Sequence, residues 1–203
     1  STRKESSAAS DVYKRQIDES IDDLQLNGLM LIQKQSGFRF GVDAVLLSDF
    51  ANVKKKHRVL DLCTGTGIVP FLLYGKYSPK EVWGVEIQED MVEMANRSSQ
   101  LNSTDDIVRF KCADLKDKKL VSELGRFDVI TVNPPYKLNN AGILNSNDKL
   151  AIARHEILCN LEDVIVSARR LLADNGRMFI VHRPERLADI FLSLIHISEP
   201  TRP

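Results

Sequence analysis

The feature that most constrains this chain is a short apolar strand that runs through a glycine-rich turn into a helix. The strand is Arg58–Leu62, the turn contains Gly65 and Gly67, and the helix extends from about Ile68 to Tyr74. The same strand-then-helix order recurs along the rest of the chain. Short, continuously apolar strands that alternate with helices predict a mostly parallel sheet with helices on both faces. We therefore expect a doubly wound α/β fold.

Four further strands are predicted from apolar runs of similar length: Glu81–Glu86, Ile107–Lys111, Phe127–Val132 and Arg177–Val181. Helices are expected around them at Asp90–Gln100, Leu161–Leu172 and from Glu185 to Phe191. The run Asp174-Asn175-Gly176 is a typical helix stop signal before the last strand.

A hairpin and a helix are predicted ahead of the first core strand. Leu29–Gln33 and Phe38–Phe40 flank a turn that contains Gly37, a pattern typical of a β-hairpin. Asp43 is placed to cap a helix that continues to about Asn52. Three residues form the apolar face of that helix, namely Ala44, Leu47 and Ala51.

The length of 203 residues suits one well-buried domain. We expect a hairpin-helix extension over residues 17–57 and the α/β core over residues 58–191. Residues 1–16 and 192–203 resemble translated sequencing-adapter read-through, and the first of these segments is polar and aperiodic. We interpret both as non-native tails, the first disordered.

Composition and charge argue against several classes of site. Lys and Arg total 28 and so do Asp and Glu, so a nucleic acid would have to bind a local patch. Cys63, Cys112 and Cys159 form no Cys-x-x-Cys pair, and no histidine spacing suits zinc. This pattern favours reduced thiols in the cytoplasm and argues against a metal site. No apolar run has membrane-spanning length and no signal segment is visible, so we expect a cytoplasmic protein without a membrane partner.

Three acidic positions and the glycine turn predict a cofactor site. Ligands of open α/β sheets bind beyond the carboxyl ends of the strands, where Asp61 and the glycines fall. Glycines let backbone N–H groups approach a ligand closely. Glu86 lies 19 residues past Gly67, where a carboxylate can accept from both ribose hydroxyls. Asp114 follows the third core strand and is placed to meet an adenine amine.

A dinucleotide site is the main rival, and two residues argue against it. The Gly-x-Gly-x-x-Gly pattern requires a third glycine where Pro70 stands. Asp61 would direct a carboxylate toward the phosphate-binding turn and repel a pyrophosphate, whereas it would attract an ammonium group. A structural glycine turn with surface acids is the remaining, simpler interpretation.

A second motif, Asn133-Pro134-Pro135-Tyr136, ends the fourth core strand and faces the same crevice. The prolines exclude helix and remove two N–H donors, so the loop presents rigidly directed carbonyl oxygens. The Asn133 side-chain oxygen and the Pro134 carbonyl can both accept from one –NH₂ group, and Tyr136 offers a ring for stacking. The motif therefore favours a planar amine as substrate, although an ordinary strand-end turn has similar residues.

Together the two motifs resemble class I S-adenosylmethionine-dependent N-methyltransferases of the small-domain superfamily, which methylate amines of adenine, guanine or glutamine. These enzymes have a Rossmann-like fold. The segments Phe38–Leu47, Ala151–Glu156 and Leu161–Ile165 are further similar to bacterial tRNA adenine-N6 methyltransferases that act beside the anticodon of a valine tRNA, in their Gram-positive form. The similarity covers roughly residues 20–191.

The resemblance implies S-adenosyl-L-methionine as cofactor and tRNA as substrate. It places the Phe40–Asp43 segment over the cofactor and Arg154 and His155 toward the substrate. The expected cofactor-binding residues are Phe40, Asp43, Asp61, Cys63, Thr64, Gly65, Gly67, Glu86, Ile87, Asp114 and Asn133. The expected catalytic residues are Asn133, Pro134, Pro135 and Tyr136, of which Tyr136 also contacts the substrate.

Clusters of basic residues are candidates for phosphate contacts, although such a cluster is often only a solvated face. They are Lys54–Lys56 with Arg58, Lys116 with Lys118 and Lys119, and Arg169 with Arg170. Members of the family finish the sheet with an antiparallel strand pair that is not recognisable here. The fifth core strand would then be an exposed edge, and we expect weak cofactor binding with reduced or no activity.

Two other functions stay open at this point. Glutamine-N5 methyltransferases of release factors share Asn-Pro-Pro-Tyr but usually carry a helical N-terminal domain, which is not visible here. A non-catalytic cofactor- or RNA-binding module is the other alternative. The sequence does not indicate an oligomeric state.

Overall fold

The computed structural model describes residues 18–35, 41–134, 161–184 and 187–198. The strands are β1 (Glu19–Asp23), β2 (Met30–Lys34), β3 (Arg58–Leu62), β4 (Glu81–Glu86), β5 (Val108–Cys112), β6 (Phe127–Val132) and β7 (Leu172–Ile180). The helices are α1 (Val42–Phe50), α2 (Ile68–Tyr77), α3 (Glu89–Leu101), α4 (Leu120–Leu124), α5 (Leu161–Leu171) and α6 (Leu187–Ser198).

The main sheet has the order β5-β4-β3-β6-β7, and every neighbouring pair is parallel. The chain starts at the central strand β3, moves outward to β5 and then returns to β6 on the other side. This reversal opens a crevice between the loops that follow β3 and β6. The predicted doubly wound α/β fold is confirmed.

Alternate residues of β3 contribute to two separate cores. Val59 packs with buried residues of α1, α2 and α3 on one face of the sheet. Leu60 and Leu62 pack with α4 and α5 on the other face. Because both faces are covered, the middle of β3 is apolar, and its two charged residues stand near its ends, Arg58 at the amino edge and Asp61 toward the crevice.

The last strand contains a bulge. Leu172 pairs with Phe127, and the regular ladder resumes only where Arg177 pairs with Val129. Between them Asn175 adopts a left-handed φ of 61°. The expected stop signal is therefore part of the bulge, and the strand predicted from Arg177 onward is confirmed as the regular part of β7.

The N-terminal hairpin differs from its predicted form. Met30–Lys34 pairs antiparallel with Glu19–Asp23, which precedes it, through a turn in which Asn27 and Gly28 have positive φ. The Phe38–Phe40 segment lies outside the described residues. β1 was missed because its sequence is acidic and its only large apolar residue, Ile21, is 38% exposed. Contacts with another element, rather than local hydrophobicity, hold this strand in place.

That element is α3. The Ser98 hydroxyl accepts from the Ile32 amide at 2.9 Å, and the Asn102 side chain bonds both the amide and the carbonyl of Met30. These polar side chains satisfy backbone groups along the edge of β2 that faces the helix. The hairpin is thus attached to the α/β core by side chains of α3, which bond backbone groups of β2 that a third strand would otherwise bond.

Helix α1 begins at Val42, so the expectation that Asp43 caps it is wrong. Gly41 occupies the N-cap position without a side-chain hydrogen bond, and Asp43 lies in the first turn, where a negative charge interacts favourably with the helix dipole. The predicted apolar face is confirmed, since Ala44, Leu47 and Ala51 are all buried.

Helices α1 and α2 are joined near their C-terminal ends, where Lys76 of α2 pairs with Asp49 of α1 at 2.7 Å.

Helix α6 reaches Ser198 and so continues past residue 191, where the sequence led us to expect the end of the core. No helix in the described ranges has the length and apolar character needed to cross a membrane.

Candidate cofactor and substrate site

Neighbouring strands of the sheet are parallel and end at the same level. The predicted site residues that follow β3, β4, β5 and β6 therefore lie at one edge of the sheet. Leu62, at the end of β3, pairs with Val85 on one side and with Val132 on the other. Glu86 pairs in turn with Cys112 at the end of β5. The loops after β3, β4, β5 and β6 consequently leave the sheet side by side, and they carry the glycine turn, Glu86, Asp114 and Asn133.

In the turn after β3, every second residue has a left-handed backbone conformation. Cys63, Gly65 and Gly67 have φ of 57°, 56° and 87°. The Thr64 amide donates to the Val85 carbonyl at 3.2 Å, and the Gly67 amide donates to the Thr64 carbonyl at 3.0 Å. The left-handed conformation at Cys63 costs a non-glycine residue about 1–2 kcal/mol. A strained residue at such a position is consistent with a functional turn.

Phe110 on β5 packs beneath this turn, a relationship that the sequence did not reveal. A Cβ atom on Gly67 would lie 2.5 Å from Cζ of Phe110, and one on Gly84 would lie 2.6 Å from its Cδ1. A Cβ on Gly65 would meet no atom within 4 Å. Gly67 and Gly84 are therefore required for packing, whereas Gly65 leaves open space. A glycine inside the apolar strand β4 was the available signal.

Asp61 is a buried carboxyl with 2% of its surface exposed. The Thr131 hydroxyl donates to its Oδ1 at 2.7 Å. Burial raises the pKa of Asp61 to about 7, against the opposing effect of the Thr64 and Thr131 hydroxyls, and the negative charge of Glu86 raises it further. Within the described ranges Asp61 has no ion pair with a basic side chain. A cationic ligand group would offset the free-energy cost of ionising this buried carboxyl.

Glu86 is only 6% exposed and fixes the loops on both sides of it. Its Oε2 accepts from the Gly65 amide at 3.0 Å, and its Oε1 accepts from the amides of Ile87 and Gln88 at 2.9 and 3.1 Å. An ionised carboxylate has about four acceptor positions, so one on Oε2 remains for a ligand hydroxyl. Ile87, which follows, presents a 37% exposed apolar side chain at the same edge.

Asp114 lies in the loop after β5, half-buried. Its Oδ1 accepts from the Lys116 amide at 2.9 Å, which closes a tight turn, and the Lys116 ammonium lies 3.7 Å from its Oδ2. The Ala113 amide donates to the Glu86 carbonyl at 2.9 Å. The two acidic loops are thus held against each other.

The substrate motif is described only at its beginning. Asn133 is half-buried immediately after β6, and Pro134 is buried. Five predicted site residues fall outside the described residues, namely Phe40, Pro135, Tyr136, Arg154 and His155. Their roles stay predictions, as does the placement of the exposed Asp43 over the cofactor.

These features fit a cofactor that joins a nucleoside to an amino acid. Asp61 offers a buried acceptor for an ammonium group, Glu86 an acceptor for one ribose hydroxyl, and Gly65 a space without side-chain atoms. Among the described residues no cluster of three or more His, Cys, Asp or Glu side chains is arranged to hold a metal ion.

The candidate phosphate-binding residues separate into two groups by location. Lys54–Lys56 and Arg58 lie at the amino edge of the sheet, opposite the crevice. The guanidinium group of Arg58 is engaged within the protein, since it pairs with Glu81 and donates to the carbonyls of Leu124 and Arg126. Arg170, in the last turn of α5, donates to the Leu115 carbonyl at 3.1 Å, and Arg169 beside it is exposed.

In the loop after β5 the candidates for phosphate contact are all exposed, namely Lys116, Lys118 and Lys119. His57 is buried, and its Nδ1 accepts from the Lys54 amide at 3.1 Å, which agrees with a structural role.

Comparison with known proteins identifies the family. The sequence profile described as "Methyltransferase domain" matches residues 53–195. A relative from Porphyromonas gingivalis, named tRNA1(Val) (adenine(37)-N6)-methyltransferase, is 31% identical over 79% of this chain and 64% of its own length. A relative of the same name from Proteus mirabilis is 27% identical over 77% of this chain and 61% of its own length. The chain thus spans slightly under two thirds of the length of these curated relatives.

Solved structures show the same fold. TrmN from Thermus thermophilus superimposes with a TM-score of 0.53 and 24% identity, over 72% of this chain and 40% of that one. A ribosomal protein L11 methylase from Lactobacillus delbrueckii superimposes with a TM-score of 0.53 and 22% identity, over 77% of this chain and 67% of that one. The family match and the five-stranded parallel sheet confirm what the two motifs predicted: the chain belongs to the S-adenosylmethionine-dependent methyltransferase domain family.

Proposed function

We propose that this protein transfers the methyl group of S-adenosyl-L-methionine to the N6 amine of an adenine in tRNA, near the anticodon, in the cytoplasm. One structural observation carries the proposal. Asn133 and Pro134 follow β6 directly beside the turn that follows β3, because Val132 and Leu62 are partners in the ladder. The amine-binding motif therefore begins next to the buried carboxylate Asp61.

The cofactor half of the site is assigned to the loops after β3, β4 and β5. Asp61 holds the ammonium group, Glu86 the ribose, and Asp114 the adenine amine, with Ile87 as an apolar neighbour of the base. The sulfonium of the bound cofactor supplies an electrophilic methyl group. The chain itself contributes binding and orientation, which suit a transfer that needs close alignment of two reactants.

The substrate half is assigned to Asn133 and Pro134. The Asn133 side-chain oxygen and the Pro134 carbonyl accept the two N–H bonds of an exocyclic amine. As positive charge develops on the nitrogen, both acceptors bind it more strongly, which stabilises the transition state relative to the bound substrate. The buried Pro134 makes its carbonyl a fixed acceptor.

The choice of tRNA adenine is supported by the relatives, two of which are named for that activity. Lys116, Lys118 and Lys119 are exposed in the loop that leaves the crevice edge after β5, and their positive charge suits a polyanionic substrate. An adenine in a single-stranded loop can be unstacked and read by its amine, as recognition of RNA loops requires.

Transfer of labelled methyl groups from S-adenosylmethionine tests the proposal. Purified chain at high concentration is incubated with total bacterial tRNA, with a release-factor peptide that contains glutamine, and with neither. We expect slow incorporation into tRNA alone, as N6-methyladenosine in the nucleoside digest.

Incorporation into the peptide instead would replace the proposal with glutamine-N5 methylation. Cofactor binding without transfer to either acceptor would overturn an enzymatic role for this chain and favour a binding module.

A further inference from the structure

Thr131 is the residue through which the substrate strand contacts the cofactor carboxylate. It lies in β6, is fully buried, and is the ladder partner of Asp61 in β3. In a parallel ladder such partners direct their side chains to the same face of the sheet. The Thr131 hydroxyl uses this placement to donate to Oδ1 of Asp61 at 2.7 Å.

The other ladder partner of Asp61 is Gly84, which has no side chain to offer. The space above Gly84 is filled by the Phe110 ring and the Thr64 methyl group, both too close to admit even a Cβ atom. Of the two strands that flank Asp61, only β6 therefore supplies a hydrogen-bond donor to the carboxylate. The Thr131 hydroxyl is thus the donor that fixes the carboxylate, because the nearby Thr64 hydroxyl is buried without a hydrogen-bond partner among the described residues.

We propose that Thr131 is a positioning residue that orients the Asp61 carboxylate for the amino-acid end of the cofactor and ties it to the strand that carries Asn133. The inference rests on the proposed cofactor role of Asp61. Valine would fill the same volume in these apolar surroundings, so packing alone does not explain a threonine at this buried position.

The inference predicts that the effect of losing the hydroxyl depends on which part of the ligand is present. S-Adenosylhomocysteine carries the amino-acid group, whereas methylthioadenosine has the same nucleoside and sulfur without it. Removal of a hydrogen bond to a charged group should weaken S-adenosylhomocysteine binding by about tenfold or more. Binding of methylthioadenosine should be unchanged, because it makes no contact with Asp61.

Calorimetric titration of the full chain with both ligands tests this. Thr131→Val exchanges the hydroxyl for a methyl group, and Thr131→Ser retains the hydroxyl and should bind S-adenosylhomocysteine nearly as well as the unmodified chain. If Thr131→Val does not fold, Thr131→Ala and Thr131→Ser form a second pair that differs by one oxygen atom. Glu86→Gln serves as a contrast that weakens both ligands.

Equal binding of S-adenosylhomocysteine by the valine and threonine forms, or equal loss of both ligands in Thr131→Val, would overturn the positioning role while leaving the proposed function intact. Failure of the unmodified chain to bind either ligand would overturn the proposed cofactor site and, with it, this inference. Titration of the unmodified chain distinguishes these cases, because it binds ligand in the first two outcomes and binds neither ligand in the third.

Discussion

Arg97 of α3 holds Glu19 of β1 in a bidentate ion pair, with N–O distances of 2.6 and 2.8 Å. The Glu19 carboxylate is almost fully buried, and Glu93 also accepts from Arg97. The pair joins the N-terminal hairpin to the core at a place where neither charge has free access to water. The ion pair therefore contributes to the attachment of the hairpin, together with the bonds that Ser98 and Asn102 form with β2.

Removing the arginine should destabilise the protein strongly. Arg97→Met leaves a buried carboxylate without its partner, and we expect the free energy of unfolding to fall by about 3–5 kcal/mol. Urea denaturation measures the change. The matched control is Lys111→Met, which breaks the more exposed pair with Glu123 and should cost no more than about 1 kcal/mol. Equal effects of the two substitutions would contradict a special role for the buried pair.

Gly84→Ala should destabilise the fold through a clash that can be relieved. The new Cβ would lie 2.6 Å from the Phe110 ring, and such overpacking typically costs about 1–3 kcal/mol. Phe110→Leu in the same chain should recover much of this loss in thermal unfolding. Gly65→Ala is the control, because its cost arises from a φ of 56° in open space and should not respond to Phe110→Leu. Absence of coupling at Gly84 would argue against the described packing.

The raised pKa of Asp61 predicts a pH-dependent effect of Asp61→Asn on stability. Between about pH 4, the usual carboxyl value, and about pH 7, the folded protein binds more protons at this site than the unfolded chain does. Stability contributed at Asp61 is therefore greatest below pH 4 and is lost as pH rises through 7. Asp61→Asn should increase stability by at most about 4 kcal/mol at pH 8 and by much less at pH 4.

Denaturation curves at the two pH values measure this difference, with the exposed Asp105→Asn as control. An equal effect of Asp61→Asn at both values would contradict the raised pKa. For S-adenosylhomocysteine the direction is reversed: affinity should rise as pH increases through about 7, because its ammonium group requires an ionised carboxylate.

Asn133→Ala should separate binding from transfer. Loss of one acceptor of the developing charge is expected to lower the rate of methyl transfer by about 10²- to 10³-fold. Affinity for S-adenosylhomocysteine should change little, since the loops of Asp61 and Glu86 remain intact. Single-turnover transfer to tRNA measures the first quantity and calorimetry the second. Full activity in Asn133→Ala would refute the proposed role of the motif.

Reversal of charge on the loop after β5 should weaken tRNA binding. Lys118→Glu with Lys119→Glu places negative charge in the loop that leaves the crevice edge after β5, and we expect lower affinity and a shallower salt dependence. Lys54→Glu with Lys55→Glu makes the same change at the opposite edge of the sheet and is the matched control. Filter binding at several salt concentrations compares them. A larger effect at Lys54 and Lys55 would place the RNA surface elsewhere.

The alternation of apolar strands and helices was sufficient to predict the five-stranded core, because strands that pack between two layers of helices are mostly apolar. The glycine turn, Asp61 and Glu86 were also identifiable, since their spacing follows from a strand of fixed length that ends in a turn. The hairpin was not, because β1 is acidic and is held by Arg97 of a distant helix.

Other relationships depended on the three-dimensional register of the sheet. Thr131 and Asp61 are 70 residues apart and become neighbours only when β6 aligns with β3. Phe110 and the two glycines meet for the same reason across β4 and β5. The sequence alone determined which residue types stand at the ends of the strands. Only the tertiary structure decided which of them touch, because contacts between strands arise from their order and register in the sheet, which local periodicity does not encode.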